Sequence, residues 1–175
     1  GRNAKQWFRR KMRSISRGQA KRQILNKHNR ADYTPTPGNM YFFAYNAKCQ
    51  DQLPYWDRFP LVIVLHSTAN GFVGLNLHYL PPKQRAKFLD SMVQLSTDGM
   101  NKDSAFVASY QLLQSASKFK AFKPTMKRYL FSQMMSPAIK IEPPEWLPAV
   151  FLPLANFKGA GNSRVWSDSV LKIED

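Results

Sequence analysis

Acidic residues are missing from the start of this chain: the first 31 residues hold eleven Lys or Arg and no Asp or Glu. Cysteine is scarce as well. Cys49 is the single one in 175 residues, which excludes an intrachain disulfide, a Cys-rich zinc site and an iron–sulfur cluster. That chemistry suits a reducing compartment. The longest purely aliphatic run, Leu61 to Leu65, is far too short to span a bilayer. The basic start is not followed by an apolar stretch, so no secretory signal is expected. The three histidines, His28, His66 and His78, show no His-Glu-x-x-His or His-x-His spacing. No cofactor or metal centre is expected.

What the chain does have is charge concentrated in one place. Its formal net charge is +15, from 26 basic and 11 acidic residues. Residues 32–175 keep 15 basic and 11 acidic residues, a balance of about +4. A terminal segment this basic is built to meet a polyanion. Each Lys or Arg that neutralises a phosphate releases condensed counterions, so Arg2, Lys5, Arg9, Arg10, Lys11, Arg13, Arg17, Lys21 and Arg22 can hold a nucleic-acid backbone without reading its sequence. An acidic protein surface is the second reading and a passive tail the third, but eleven cations without a counter-charge exceed what solubility requires. Residues 4–28 have irregular apolar spacing, and a segment that orders on a partner is expected, with Trp7 and Phe8 as its anchor.

The organisation read from the sequence is an arm and linker over residues 1–36 and one domain over 37–175. The 43% hydrophobic and 13% aromatic content supplies a core. Tyr33 to Gly38 (YTPTPG) reads as a linker. A first strand is expected over residues 39–45, then a loop over 46–58 carrying exposed aromatics. Strands over 59–65 and 72–79 flank Asn70-Gly71, the signature of a type I′ hairpin turn with positive φ at both positions. Helices are expected over 83–95, 104–117 and 124–134, the last with Lys127 and Arg128 facing out. A strand over 138–142, a helical turn over 144–151 burying Trp146 and a short helix over 163–171 complete the chain. This order predicts an α+β fold: a small antiparallel sheet, SH3-like and half-barrel in form, with packed helices.

Binding chemistry is better supported than catalysis. Lys118, Lys120, Lys123, Lys127 and Arg128 interleave with Phe119 and Phe122, a pattern suited to phosphate contact with stacking; the plainer alternative buries the phenylalanines and solvates the lysines. Tyr55 and Trp56 beside Arg58 suit stacking on bases, docking on a partner, or packing over the sheet. His66 and His78 fall on opposite faces if Asn70-Gly71 is a two-residue turn, which disfavours a dyad. Asp51 and Asp57 share one loop and Asp98 and Asp103 another, where Asp more often caps turns than holds a metal. Lys48 beside Cys49 does not make a nucleophile. Gly159 to Ser163 (GAGNS) lacks a Walker lysine and reads as a simple cap.

Several stretches together resemble a known family. They are Pro37 to Tyr45 (PGNMYFFAY), Leu53 to Val62 (LPYWDRFPLV) and Gly71 to Pro82 (GFVGLNLHYLPP). The segments Lys83 to Asp90, Lys127 to Ser132 (KRYLFS), Glu145-Trp146, Phe151 to Pro153 and Val165 to Ser169 (VWSDS) fit the same pattern. The chain resembles small virion or DNA-associated proteins of T4-like contractile-tailed phages, of the DNA end protector type. The resemblance implies a non-enzymatic virion protein on the packaged genome end, present in host cytoplasm before assembly and part of a multi-subunit particle. It brings no catalytic residues and no membrane. Two other classes compete: a neck, tail or baseplate connector whose arm grips an acidic subunit, and a small-barrel nuclease using His66, His78, Asp51 and Asp57.

Overall fold

The structure is a computed structural model that describes residues 31–97 and 120–174. A five-stranded antiparallel sheet in the order β7-β2-β4-β5-β6 is extended at its β7 edge by the two-residue β1. These strands are β1 (Ala31–Asp32), β2 (Met40–Phe42), β4 (Leu61–Thr68), β5 (Gly71–Asn76), β6 (Met126–Leu130) and β7 (Ala138–Ile141). A separate pair joins β3 (Trp56–Asp57) to β8 (Phe157–Lys158). Among the described residues four α-helices accompany the strands: α1 (Pro82–Thr97), α2 (Phe122–Thr125), α3 (Pro143–Val150) and α4 (Asn162–Glu174). The α+β class expected from the element order is what forms. The half-barrel is not: β1 and β6 stand at opposite edges and no described ladder joins them, so the sheet is open.

Both faces of the sheet are covered where β2 and the first five residues of β4 cross its middle, so these stretches bury every position instead of every second one. Leu61 to Leu65 are all buried, and the alternation sorts them between two cores. On one face Met40, Phe42, Leu61, Ile63 and Leu75 meet Phe88 and Leu89 of α1 and Trp146 and Val150 of α3. The Trp146 indole N–H donates to the Ile141 carbonyl at 2.8 Å, and this fixes α3 against β7. The other face is aromatic. Tyr129 stands edge-on to Tyr45 at 4.9 Å and to Phe43 at 5.5 Å, and stacks on Phe72 at 5.4 Å. Complete burial of a residue such as Phe43 or Phe72 stabilises the fold by roughly 1.5–3 kcal/mol. A third, smaller cluster of Tyr79, Phe157 and Val165 holds α4 and β8 to the sheet's end.

Three local expectations are corrected. The 124–134 segment is not a helix: after the single turn of α2 the chain becomes β6, pairing Gly71 with Leu130 and Phe72 with Tyr129. Tyr129 entering the aromatic core outweighs helix propensity. The β4–β5 hairpin forms, but its turn is Ala69-Asn70, with Thr68 paired to Gly71. Among the described residues positive φ occurs only at Cys49, Gly38 and Gly159, so no type I′ turn is present. Gly71 is needed for another reason, because a Cβ there would strike the Tyr129 carbonyl oxygen across the ladder. A bulge at Leu65, between the Val64 and His66 pairings, shifts the register again. Finally, the loop expected to carry exposed aromatics buries Trp56, which is 9% exposed, in the aromatic core.

The expected linker is tied to the sheet. Ala31 and Asp32 pair with Ile139 and Ala138, the Gly38 N–H donates to the Val64 carbonyl, and the Tyr41 hydroxyl accepts from the Thr36 N–H. The helix expected over 104–117 and the arm over residues 1–30 lie outside the described residues.

Candidate functional site

Where β5 ends, Asn76 leads into a single helical turn, Leu77–Tyr79, and the Asn76 side chain accepts from the His78 N–H at 3.0 Å. That turn carries His78 inward to Asp57 of β3. The Asp57 carboxylate accepts from His78 Nδ1 at 2.9 Å, from Asn76 Nδ2 at 3.0 Å and from the Phe59 N–H at 3.0 Å. Asn76 Nδ2 also donates to the Tyr129 hydroxyl at 3.1 Å. Burial lowers the His78 pKa against the pull of Asp57. The ring is therefore neutral and donates from Nδ1 to the Asp57 carboxylate. Burial likewise raises Tyr129 well above a free phenol, with Tyr79 and Asp57 adding to the effect.

Arg85 of α1 closes this network from behind. It is 1% exposed and donates to the carbonyls of Leu80 at 2.6 Å, Val150 at 2.8 Å and His78 at 3.4 Å. Its guanidinium also lies 5.4 Å from the Trp166 ring centre, and Trp166 Nε1 donates to the same His78 carbonyl at 2.9 Å. Burial lowers Arg85 to about 10, opposed by the Asp57 charge, so it stays charged at neutral pH. Leu80 and His78 flank Tyr79, so Arg85 holds the backbone on both sides of that residue.

In front of the network lies a pocket of about 610 Å³. Its buried floor is Tyr45, Asp57, Tyr79 and Tyr129; one wall is Leu53 to Trp56 and the other Lys127 to Leu130. Exposed Lys48 and Lys172 complete the lining. Lys127 Nζ sits 4.2 Å over the Tyr79 ring. Burial lowers Lys127 to about 8, and the Lys172 charge pushes in the same direction. Among the described residues, four cations thus line one pocket with a single carboxylate, Asp57, which is already engaged. On the outer wall the Tyr55 hydroxyl donates to Asp168 at 3.0 Å, with Arg164 5.9 Å from its ring centre. Burial and then Asp168 raise that phenol to about 12.

Over residues 2–172 the chain matches the family model described as phage T4 terminal DNA protecting protein. The chain belongs to that family. No curated protein and no solved structure matches it. The phage resemblance read from the sequence is thereby placed on nearly the whole length of the chain.

The structure divides the residues singled out in the sequence. Lys127 and Arg128 line the aromatic pocket, whereas exposed Lys120 lines a different groove with Lys87 and Phe88, and Lys123 is exposed. Phe122 packs against the first core, so the plainer reading holds for that phenylalanine. Tyr55 and Trp56 both line the pocket, Tyr55 half-buried and Trp56 buried. Arg2 through Arg22, Trp7, Phe8, Lys118 and Phe119 lie outside the described residues. The four residues offered for a nuclease do not come together. His66 and Asp51 are exposed, while His78 and Asp57 form a sealed pair, each side chain 1% exposed. No group of three or more metal-binding side chains occurs among the described residues, and none of their helices is long and apolar enough to cross a membrane. Sequence reasoning weighs Lys48 only as a neighbour of Cys49 and passes over Lys172, because each is a lone lysine in its own segment with no local pattern that marks an anion site.

Proposed function

We propose that the protein is a non-enzymatic phage virion component that holds the DNA backbone at genome ends, with the basic arm as its electrostatic grip. Membership of the terminal DNA protecting family over residues 2–172 carries the DNA-end part of this reading. The arm's eleven cations without a counter-charge support the backbone part, since phosphate neutralisation with counterion release needs no sequence readout. The arm enters the domain at the β1 edge, and the cationic pocket lies at the β6 edge. Five ladder spacings separate those edges by about 24 Å, and a thirty-residue segment can extend to about 100 Å. One DNA end can therefore meet both. The sealing of Asp57 and His78 from solvent supports a role without catalysis.

The test is a salt series on linear duplex DNA with the intact protein and with a full-length variant carrying Gln at the nine arm positions Arg2 to Arg22 named above. Wild-type affinity should fall roughly a thousandfold or more between 50 and 200 mM salt, and the variant should lose most of that slope. Binding that ignores salt, or no binding, sinks the proposal. The connector reading then leads, with the arm on an acidic neighbour and exposed Leu147 and Phe151 as apolar contacts.

A further inference from the structure

The pocket between the Leu53–Trp56 loop and β6 presents an unusual arrangement of charge. Lys127 stands over the Tyr79 ring, and neither it nor Lys172 forms an ion pair with any described carboxylate. Their mutual repulsion and the burial of Lys127 both disfavour its charged form. An anion between them would relieve both costs. The shape narrows the choice. The Lys127 ammonium lies over a buried ring inside a concavity, where the continuous flank of a duplex would not fit but a protruding strand terminus would. A terminal phosphate monoester carries about −1.5 to −2 charges at neutral pH, against one for an internal diester, and so complements two ammonium groups that have no carboxylate partner among the described residues. Exposed Leu53 and Pro54, with half-buried Tyr55, offer an apolar wall beside that position, suited to the face of a base.

We infer that this pocket seats the phosphorylated end of a DNA strand, with Lys127 and Lys172 on the terminal phosphate and the Leu53–Tyr55 wall against the last base. Lys48 and Arg128 at the rim meet the next phosphates of the same strand. The inference rests on the DNA-end reading above and adds to it the site and the chemical group recognised.

The test uses the full-length protein and short blunt hairpin duplexes whose open end carries a 5′-phosphate, a 3′-phosphate or only hydroxyls, with a covalently closed dumbbell as the endless control. Wild type should bind one or both phosphorylated ends about tenfold or more tighter than the hydroxyl end and the dumbbell. The 5′ and 3′ arms show which strand terminus enters. The Lys127→Gln/Lys172→Gln double variant should lose that preference and keep its dumbbell affinity, while Lys87→Gln, in the other groove, should keep both. Leu53→Trp narrows the pocket from an exposed position and should remove the preference too, which keeps the test decisive should the double variant fail to fold. Persistence of the preference in a folded double variant, or in Leu53→Trp, overturns the pocket assignment and leaves the DNA-end reading intact. Wild type that binds hydroxyl ends as well as phosphorylated ones, but dumbbells poorly, overturns the phosphate assignment alone. Equal binding of all four probes, or none, overturns both.

Discussion

Replacing Arg85 with Met should be the most damaging single change behind the site. The guanidinium is fully buried and donates to three backbone carbonyls drawn from the turn after β5 and the end of α3. Methionine fills similar space but leaves the Leu80 and Val150 carbonyls without this donor, at about 1–3 kcal/mol each. The His78 carbonyl keeps its bond from Trp166. Asp57 also loses the cationic neighbour that acts on it through the core. Against these losses stands the relief of a buried charge, which methionine no longer has to desolvate. The balance is a loss of about 4 kcal/mol, and for a chain of this size that lowers Tm by roughly 8–16 °C. Arg85→Lys, which keeps the charge but not the three-way fork, should lose about half as much. Thermal and urea unfolding followed by circular dichroism measure both. Because Leu80 and His78 flank Tyr79, Arg85→Met should also blunt the preference for phosphorylated ends while the protein is still folded. A Tm within about 2 °C of wild type would refute the reasoning, since the buried fork would then be replaceable by packing alone.

Gly71→Ala places a methyl group against the Tyr129 carbonyl and should cost about 2–3 kcal/mol by parting β5 from β6. Gly161→Ala, with open space around it, should stay within about 0.5 kcal/mol in the same urea titration. Stability should fall as pH drops below the ordinary His value of 6.5. The folded His78 pKa is depressed, so the unfolded chain takes up the extra proton in that window, with a slope of at most about 1.4 kcal/mol per pH unit. Equal unfolding free energies at pH 5.5 and 7 would contradict this, and His78→Asn should flatten the dependence. The preference for phosphorylated ends should weaken as pH rises through about 8, where free Lys127 loses its proton. The drop should reach about tenfold between pH 7 and 9. A preference unchanged at pH 9, measured by titration of the 5′-phosphorylated hairpin, would argue against a phosphate on that amine.

Much of the fold is legible in the chain because it is written in neighbouring residues. The apolar run of β4 and the turn-rich residues after it specify a hairpin, Pro82 opens α1, and Trp146 between prolines marks a buried turn. The arm is a matter of composition: with no acid among its first 31 residues, its charge is the same in any conformation. Lys127 and Arg128 were also readable as candidate phosphate ligands. What the sequence could not supply depends on residues far apart in the chain. Met126 to Leu130 become a strand only because β5 offers an open edge and Phe43, Tyr45 and Phe72 offer Tyr129 a place. The bulge at Leu65 and the turn at Ala69-Asn70 are decided by how both strands meet two cores at once. The pocket gathers Lys48, Lys127 and Lys172 from three separate segments. Charge and local propensity are properties of the chain itself. Proximity is not, and both the meeting of Lys127 with Lys172 and the sealing of Asp57 with His78 exist only after distant segments have been folded against one another.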